Sequence, residues 1–242
     1  MNKLKHLVQS EFLRLTKYNL FTASFVVAMV WVGIGAFLSK EEFTLFLPFI
    51  FLMESSAMTS LLIGAELFFE KKEHTISSML ISPMKESDYI LSKIIVNILN
   101  LWIIFTIILA SMYFIKDYQI SIHWLFVGIL LVSAYYVFIG ILLSYLSKDF
   151  TALLINYMLM MLVLVMPTLF IQMGILDASW TSKLYWMPTE VSLRLLNVSF
   201  LKNIDLVAYL KDVFYMLGLS VALYYLLVLP NFKGYATKDL GV

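Results

Sequence analysis

The chain contains no cysteine, only two arginines and few charged residues of either sign among its 242 residues. The missing cysteines exclude disulfides, thiolate catalysis and metal sites built on cysteine. Charged residues make up 14% of the chain, compared with about 25% in an average soluble protein. The net charge of +1 and the lack of a basic run argue against a nucleic-acid partner.

Motifs of the common enzyme classes are missing as well. The sequence has no H-E-x-x-H, no G-x-S-x-G and no Gly-rich loop followed by Lys-Ser or Lys-Thr. Its three histidines, His6, His74 and His123, lie in separate polar segments, so a metal cluster is not expected. The chain is therefore not expected to be an enzyme or to hold a cofactor of its own.

Apolar residues dominate what is present. They make up 62% of the chain, and the mean hydropathy is +0.90, which predicts an all-α, polytopic membrane protein forming one membrane domain. A helix needs about 20 apolar residues to cross the bilayer core. Six stretches approach that length, namely Leu20–Leu38, Phe43–Ile63, Leu91–Ile115, Ile122–Leu146, Ala152–Met173 and Val213–Leu229.

The first 19 residues predict an interfacial helix. Its lysines and Arg14 lie mostly off the apolar arc, which suits a helix lying on anionic lipid, although Glu11 intrudes on that arc. The alternative is a soluble tail. The apolar arc consists of Leu4, Leu7, Val8, Phe12 and Leu15.

The distribution of Lys and Arg predicts the orientation, because these residues concentrate in cytoplasmic loops. Both termini and the segment 66–93 are expected in the cytoplasm, and the segment 174–212 is expected outside. The abundance of Lys over Arg is typical of an AT-rich bacterial genome, so we expect a bacterial plasma membrane. The cytoplasmic set is Lys3, Lys5, Arg14, Lys17, Lys71, Lys72, Lys85, Lys93, Lys148, Lys233 and Lys238, and the external set is Lys40, Lys116, Lys183, Arg194, Lys202 and Lys211.

The segment Glu66–Lys93 is the longest charged interruption between apolar stretches, and its charges place it in water or at a membrane surface. Ile76, Met79, Leu80 and Pro83 follow the spacing of one apolar helix face. Pro83 ends that helix because it has no N–H for a further turn. A short amphipathic helix between two membrane spans would dock onto a soluble partner. The alternative is a solvated loop with an incidental helical turn.

The same segment resembles a known family. Glu70-Lys71-Lys72-Glu73-His74-Thr75-Ile76, Leu80-Ile81-Ser82-Pro83 and Tyr89-Ile90-Leu91-Ser92-Lys93 are similar to the cytoplasmic signature of type-2 ABC exporter permeases, roughly E-R-E-x-G-T-L…L-x-S-P…G-K. The chain departs from it twice. His74 stands where the family usually has Gly, and Ser92 stands where Gly often precedes the Lys. His74 lacks the conformational freedom that Gly would give to a tight turn.

The resemblance implies a permease subunit that works with a second copy of itself and two ATPase subunits, with ATP and Mg²⁺ bound by the ATPases. It implies that closure of the ATPases pushes on the helix 76–83 and opens a path between the two permeases. Glu70, Lys71, Lys72 and Glu73 would supply polar contacts at this joint, together with His74, Thr75, Ile76, Met79, Leu80 and Pro83.

Glu54 is the most informative charge inside an apolar stretch. A carboxylate near the bilayer centre costs about 2.5–3.5 kcal/mol on insertion scales, so it is expected to face protein or water. With Ser55 and Thr59 it could line the transport pathway. Equally, it could be a protonated Glu that forms a hydrogen bond with a neighbouring helix.

The cargo follows less directly from the sequence. The short external segment favours hydrophobic drugs or amphipathic peptides, such as antimicrobial or cytolytic peptides, over polar polymers. Lipids and lipid-linked glycans are the alternative cargo. A membrane-embedded lipid-modifying enzyme is a rival from another class, but it would need more convergent polar residues than Glu54 alone. A third possibility is a sensor or immunity protein built on the same scaffold.

Overall fold

The computed structural model describes residues 2–76, 78, 85–116, 121–201 and 203–237, and in these ranges the chain is helical with no strand. Three of the long helices each run through one π-helical turn, at Glu54–Met58, Met161–Val165 and Tyr224–Val228. In chain order the helices are α1 (Asn2–Lys17), α2 (Leu20–Phe37), α3 (Lys40–Lys72), α4 (Glu86–Lys116), α5 (Ile122–Leu146), α6 (Phe150–Gln172), α7 (Trp180–Lys183), α8 (Pro188–Asn197) and α9 (Leu206–Thr237).

Six of these helices are long and apolar enough to cross a membrane: α2, α3, α4, α5, α6 and α9. The all-α class and the six spans predicted from the sequence are therefore confirmed. Several helices continue well past the predicted spans. Helix α3 has 33 residues, about 50 Å, whereas a bilayer core is about 30 Å thick. At least one end of α3 therefore projects beyond the hydrocarbon region.

Helix α5 lies at the centre of the bundle and approaches α3 closely. A Cβ atom at Gly140 would lie 2.6 Å from the carbonyl oxygen of Ser60, so only glycine fits at this crossing. The hydroxyl of Ser60 donates a hydrogen bond to the carbonyl oxygen of Tyr136, 3.1 Å away. Small residues allow helix backbones to approach within a membrane, where packing rather than the hydrophobic effect drives association.

The stretch 174–212 contains two short helices, α7 and α8, and its last residues already belong to α9. Helix α8 is amphipathic, and its apolar face, which includes Val191 and Leu195, is fully buried against α3, α5 and α9. Arg194 fixes α8 to α9 through a bidentate ion pair with Asp212, at 2.8 and 2.7 Å. Bidentate pairing of this kind gives geometric specificity as well as energy.

Helix α6 contains Pro167 just after its π-helical turn, Met161–Val165. A proline inside a helix removes a backbone N–H and displaces a carbonyl from its usual partner. Here the hydroxyl of Thr189 on α8 donates to the carbonyl oxygen of Leu164. The irregular backbone in this span is thus satisfied by a neighbouring helix, as it must be where water is scarce.

Helix α1 packs against α2 and α4. Leu15 on α1 and Val96 on α4 are buried in one apolar cluster with Leu20 and Ala65. The polar side chain of Glu11 is buried as well. The position of α1 on a lipid surface remains a prediction, but its inner face is occupied by protein.

Candidate functional site

The motif that begins at Glu70 lies where α3 ends. Lys72 is the last residue of α3, and the chain turns at Glu73 and His74. His74 has a φ of 56°, the left-handed conformation that Gly adopts without strain. Histidine therefore makes the turn that the family motif assigns to glycine. The tight turn is made although histidine lacks the conformational freedom of glycine, so the backbone at His74 is strained.

A short helical stretch follows the turn at Thr75 and Ile76. The backbone N–H of Ser78 donates to the carbonyl oxygen of His74 at 3.1 Å. Ile76 is fully buried in an apolar cluster that includes Leu67 on α3 and Phe232 on α9. Met79, Leu80 and Pro83 lie outside the described residues, so the amphipathic helix they were predicted to form stays a prediction.

A buried charge cluster lies beside this turn. The ammonium of Lys93 on α4 lies 2.7 Å from a carboxylate oxygen of Glu11, 2.9 Å from Glu70 and 3.1 Å from Glu66. Arg14 reaches the same cluster, with its guanidinium 2.5 Å from Glu11 and 3.0 Å from Glu70. The side chains of Lys93, Glu11 and Glu70 are 0% exposed. This cluster joins α1, α3 and α4 in one contact.

Tyr89 on α4 completes the cluster, because its hydroxyl group donates a hydrogen bond to Glu70. Burial alone would raise the pKa of Glu11, but Lys93 and then Arg14 favour its charged form and bring that pKa below the ordinary value of 4.5. Glu11 is therefore ionised at neutral pH, and its ion pair with Lys93 holds α1 to α4.

A second contact ties α1 to the turn at the surface. Lys17 lies 2.6 Å from a carboxylate oxygen of Glu73, and the hydroxyl of Tyr18 donates to the same oxygen at 2.9 Å. These hydrogen bonds, first from Lys17 and then from Tyr18, lower the pKa of Glu73. The turn is thus attached to α1 on both its buried and its exposed side.

The sequence placed the charged segment 66–93 in water or at a membrane surface, but four of its charged side chains are buried in protein. Glu66, Glu70, Lys71 and Lys93 are all buried, while Lys72, Glu73 and His74 are exposed. Sequence analysis treats each charge separately, whereas a buried charge becomes tolerable once it is paired and hydrogen-bonded. Pairing depends on which helices meet, and that information is tertiary.

Of the six residues of the cluster, only Glu70 was among the predicted site residues, and the other five are Glu11, Arg14, Glu66, Tyr89 and Lys93. Glu11 could have been identified from the sequence, because it lies on the apolar arc of α1. A charge on an apolar helix face needs a partner on the surface which that face covers. Lys93 ends the family motif and is that partner.

Lys93 also decides what the carboxyl groups can bind. Oxygen atoms of Glu11, Glu66 and Glu70 lie within 4.8 Å of one another, a spacing that could suit a metal ion. However, the Lys93 ammonium already contacts all three. The arrangement is an ion-pair cluster in which the lysine ammonium takes the place of a metal ion.

The comparison with known families agrees with this geometry. The family model described as ABC-2 type transporter matches residues 2–187, which include α1, the turn and the charge cluster. The chain belongs to the ABC-2 type transporter family. No curated protein matches the chain. The protein is thus the multi-pass membrane component of an ABC transporter, a family that typically works with an ABC ATPase.

Glu54 lies deep in α3 of this ABC-2 permease, at the start of its π-helical turn, and is 2% exposed. The indole N–H of Trp31 on α2 donates to it at 2.7 Å. Thr59 bonds to the backbone carbonyl of Glu54 and lies 3.3 Å from the side chain of Asn97, while Ser55 is also buried. These residues contact protein in the single chain, and their role in a pathway stays a prediction.

The permease also has an open cavity of about 680 Å³ lined by α2, α3, α6 and α8. Trp31 lies on its wall, so the cavity is adjacent to the residue that holds Glu54. Gln172 and Asn197 supply its polar groups, and its other lining residues are Ile34, Leu38, Leu45, Phe46, Pro48, Phe49, Ile50, Leu169, Met173 and Leu193.

Proposed function

We propose that this ABC-2 permease is the membrane subunit of an ATP-driven exporter in a bacterial plasma membrane, driven by a separate ATPase subunit that docks at residues 70–83. The observation that carries the proposal is the attachment of the turn at Glu73–His74 to three helices at once. The turn continues α3, contacts α1 through Lys17, and lies beside the cluster centred on Lys93 of α4.

These contacts favour transmission of force. A push on a loosely held loop would be absorbed by the loop, whereas a push on this segment acts on α1, α3 and α4 together. Buried Ile76 adds an apolar anchor below the polar turn. Lys72, Glu73 and His74 remain exposed and available to a soluble partner, and ATP and Mg²⁺ would be bound in that partner.

The assembly would contain two permease copies and two ATPases. This expectation is supported by surplus apolar surface on α6, which packs sparsely against the rest of the chain. Met158, Leu162 and Phe170 are exposed along it. In a membrane such a face meets lipid or a second copy of the protein.

The proposed cargo is hydrophobic or amphipathic, such as a drug or an amphipathic peptide. The cavity supports this, since 680 Å³ lies in the range of sites for drug-sized ligands and its wall is mostly apolar and aromatic. Lipid or lipid-linked glycan cargo is the alternative, and transport of labelled candidates of each class into vesicles would separate them. A lipid-modifying enzyme is less well supported, because the carboxyl groups that cluster among the described residues are engaged by Lys93 and Arg14.

The docking role is tested by placing charges on the predicted apolar face. The double variant Met79→Asp/Leu80→Asp should lose most of the substrate-stimulated ATP hydrolysis of the assembled complex, because two carboxylates cannot be buried in an apolar interface. Ser78→Asp is the matched control, since Ser78 is exposed and lies off the apolar face. Stimulation that survives in the double variant would overturn the docking proposal.

A further inference from the structure

The end of α9, residues 229–237, packs against the segment that follows the turn at Glu73–His74. Phe232 and Tyr235 lie on one face of this end of α9, and both are buried. The apolar cluster to which they belong also contains Ile76, the buried residue just after the turn. The turn is therefore packed against α9 as well as attached to α1, α3 and α4.

The hydroxyl group of Tyr235 joins three helices. It donates a hydrogen bond to the carbonyl oxygen of Leu67 on α3, 3.3 Å away, and it lies 2.7 Å from the hydroxyl oxygen of Ser144 on α5. Because a tyrosine hydroxyl has one proton and this one goes to Leu67, Ser144 is the donor of the second bond. The site is buried, so a polar group left without a partner there would be costly.

The ring of Tyr235 makes two further contacts with the same helices. The ammonium of Lys71, in the last turn of α3, lies 4.1 Å from the ring centroid, which is a cation–π contact. The ring centroid of Tyr145 on α5 lies 4.6 Å away, and the hydroxyl of Tyr145 donates to the carbonyl oxygen of Val228 at 3.3 Å. Val228 ends the π-helical turn of α9, so α5 satisfies irregular backbone in α9.

Tyr89 connects this attachment to the charge cluster. Its hydroxyl donates to Glu70, and its ring centroid lies 5.4 Å from that of Phe232 on α9. Glu70 and Lys71 are neighbours at the end of α3. Glu70 contacts α1 and α4, whereas the ammonium of Lys71 contacts α9. The end of α3 is therefore held by two sets of contacts, and the second set leads to α5 and α9.

We propose that Tyr235 is a positioning residue that fixes the end of α9 to α3 and α5, so that α5 and α9 move together with the turn. The charge cluster carries a push on the turn to α1, α3 and α4, and Tyr235 extends it to the remaining two helices at this end. One of them, α5, lies at the centre of the bundle. The part in coupling rests on the proposed function, whereas the attachment of α9 does not.

The attachment of α9 is tested on the permease alone by hydrogen exchange. Tyr235→Phe removes the hydroxyl group and keeps the ring. The backbone amides of residues 229–237 should then exchange about two- to tenfold faster, the factor by which one hydrogen bond of ordinary strength shifts an opening equilibrium. Tyr225→Phe is the matched control, because it makes the same change at an exposed tyrosine of α9 and should leave this exchange unchanged. Equal exchange in the two variants would overturn the attachment.

Ser144→Ala tests the partner on α5. It removes the hydroxyl group that contacts Tyr235, so it should also accelerate exchange at residues 229–237. The double variant Ser144→Ala/Tyr235→Phe should exchange no faster than Tyr235→Phe alone, because the bond between the two residues is already lost. Effects that multiply in the double variant would contradict a shared bond.

The role in coupling is tested in the complex with the ATPase by the distance between two spin labels. Gln9→Cys on α1 and Lys233→Cys on α9 place the labels at exposed positions, and the chain has no other cysteine. An excess of unlabelled permease ensures that the two labels of each pair lie in one copy. With Tyr235 present, the distance should be the same without nucleotide and after trapping with ATP, Mg²⁺ and vanadate, because α1 and α9 move together.

In Tyr235→Phe the distance should match the wild type without nucleotide, because the opened form remains a minor population, and it should shift or broaden after trapping. Tyr225→Phe should behave as the wild type in both states. A distance that is already altered without nucleotide would show a purely structural role and overturn the part in coupling. So would a distance that stays constant after trapping in Tyr235→Phe, or one that changes while Tyr235 is present.

The charged variant of the docking face separates this inference from the proposed function. If charges at Met79 and Leu80 abolish stimulation of ATP hydrolysis while Tyr235→Phe keeps the wild-type distance after trapping, the proposed function stands and the coupling role of Tyr235 is wrong. If those charges leave stimulation intact, the proposed function fails and the coupling role fails with it. The exchange data decide the attachment of α9 in either case.

Discussion

His74 occupies a backbone conformation that costs a non-glycine residue roughly 1–2 kcal/mol. The turn persists because its neighbours hold it on both sides, with Glu73 bonded to Lys17 and Ile76 buried in the core. Such local strain is retained where the surrounding structure determines the conformation. Histidine at this position is exposed, so its imidazole is available to a partner in a way that glycine would not be.

Replacing His74 by Gly should stabilise the isolated permease. The change removes the strain of the left-handed conformation and should add roughly 1 kcal/mol of stability, read as a higher midpoint of thermal unfolding in detergent. Asn19→Gly is the matched control, because Asn19 is the other non-glycine residue of positive φ, 58°, in the described part of the chain. It should change the midpoint less, because Asn tolerates this conformation better. A lower midpoint for His74→Gly would show that the imidazole itself stabilises the turn.

Gly140 provides a second test at the level of single residues. Gly140→Ala should destabilise the permease by about 1–3 kcal/mol, because the new methyl group would lie 2.6 Å from the Ser60 carbonyl oxygen and push α3 away from α5. In Gly218→Ala the methyl group meets nothing within 4 Å, and the helix should gain slightly. The midpoints of thermal unfolding of the two variants should therefore move in opposite directions. Equal shifts of the two midpoints would mean that α3 and α5 can move apart at Gly140 without loss of stability.

At the level of helices, α1 is the element whose role changed most between sequence and structure. Its apolar arc predicted a helix resting on lipid, and its basic residues predicted contact with anionic head groups. In the structure the arc covers α2 and α4, and Glu11 enters the charge cluster. The sequence identified the helix, its length and its apolar face. It could not identify the surface that the face covers, because lipid and a neighbouring helix are equally apolar.

The attachment of α1 should depend on pH in one direction only. The folded pKa of Glu11 lies below its ordinary value of 4.5, so its contribution to stability is complete above that value and is lost as the pH falls through the lowered pKa. A spin label on Gln9→Cys, in a chain with no other cysteine, should stay immobile from neutral to mildly acidic pH and become mobile only below about pH 4.5. Glu11→Gln should remove this transition. Mobility that rises already near pH 6 would contradict the assignment.

At the level of the whole molecule, length and hydropathy were sufficient to predict six spans. A bilayer core imposes one length on every crossing helix, so the rule transfers without knowledge of the fold. The rule failed at the ends of the helices. The last helix runs from Leu206 to Thr237, beyond the predicted Val213–Leu229, because helices continue into water wherever their hydrogen bonds and neighbours allow. The burial of the charge cluster was not predicted for a related reason. Glu70 can be buried only because cations from α1 and α4 pair with it, and the sequence does not show that these helices meet.

The orientation of the permease in the membrane is a property of the whole molecule, and it decides which side of the membrane the turn at Glu73–His74 faces. The positive-inside rule predicts that Lys72 faces the cytoplasm and Trp180 the exterior. Single cysteines at these positions, both exposed, should react differently with a membrane-impermeant maleimide added to intact cells. Trp180→Cys should be labelled at once, and Lys72→Cys only after the cells are opened. The reverse pattern would place the turn outside and exclude docking of a cytoplasmic ATPase.

Helix α3 is one helix of 33 residues that ends at the turn Glu73–His74, and its π-helical turn, Glu54–Met58, lies near its midpoint. This π-helical turn divides α3 into two arms, and such turns often occur at functional sites. Glu54, bonded to Trp31, lies where the two arms meet. A change of bend at this point would tilt the arm that ends at Lys72 relative to the arm that lines the cavity, and would alter the width of the cavity beside Trp31.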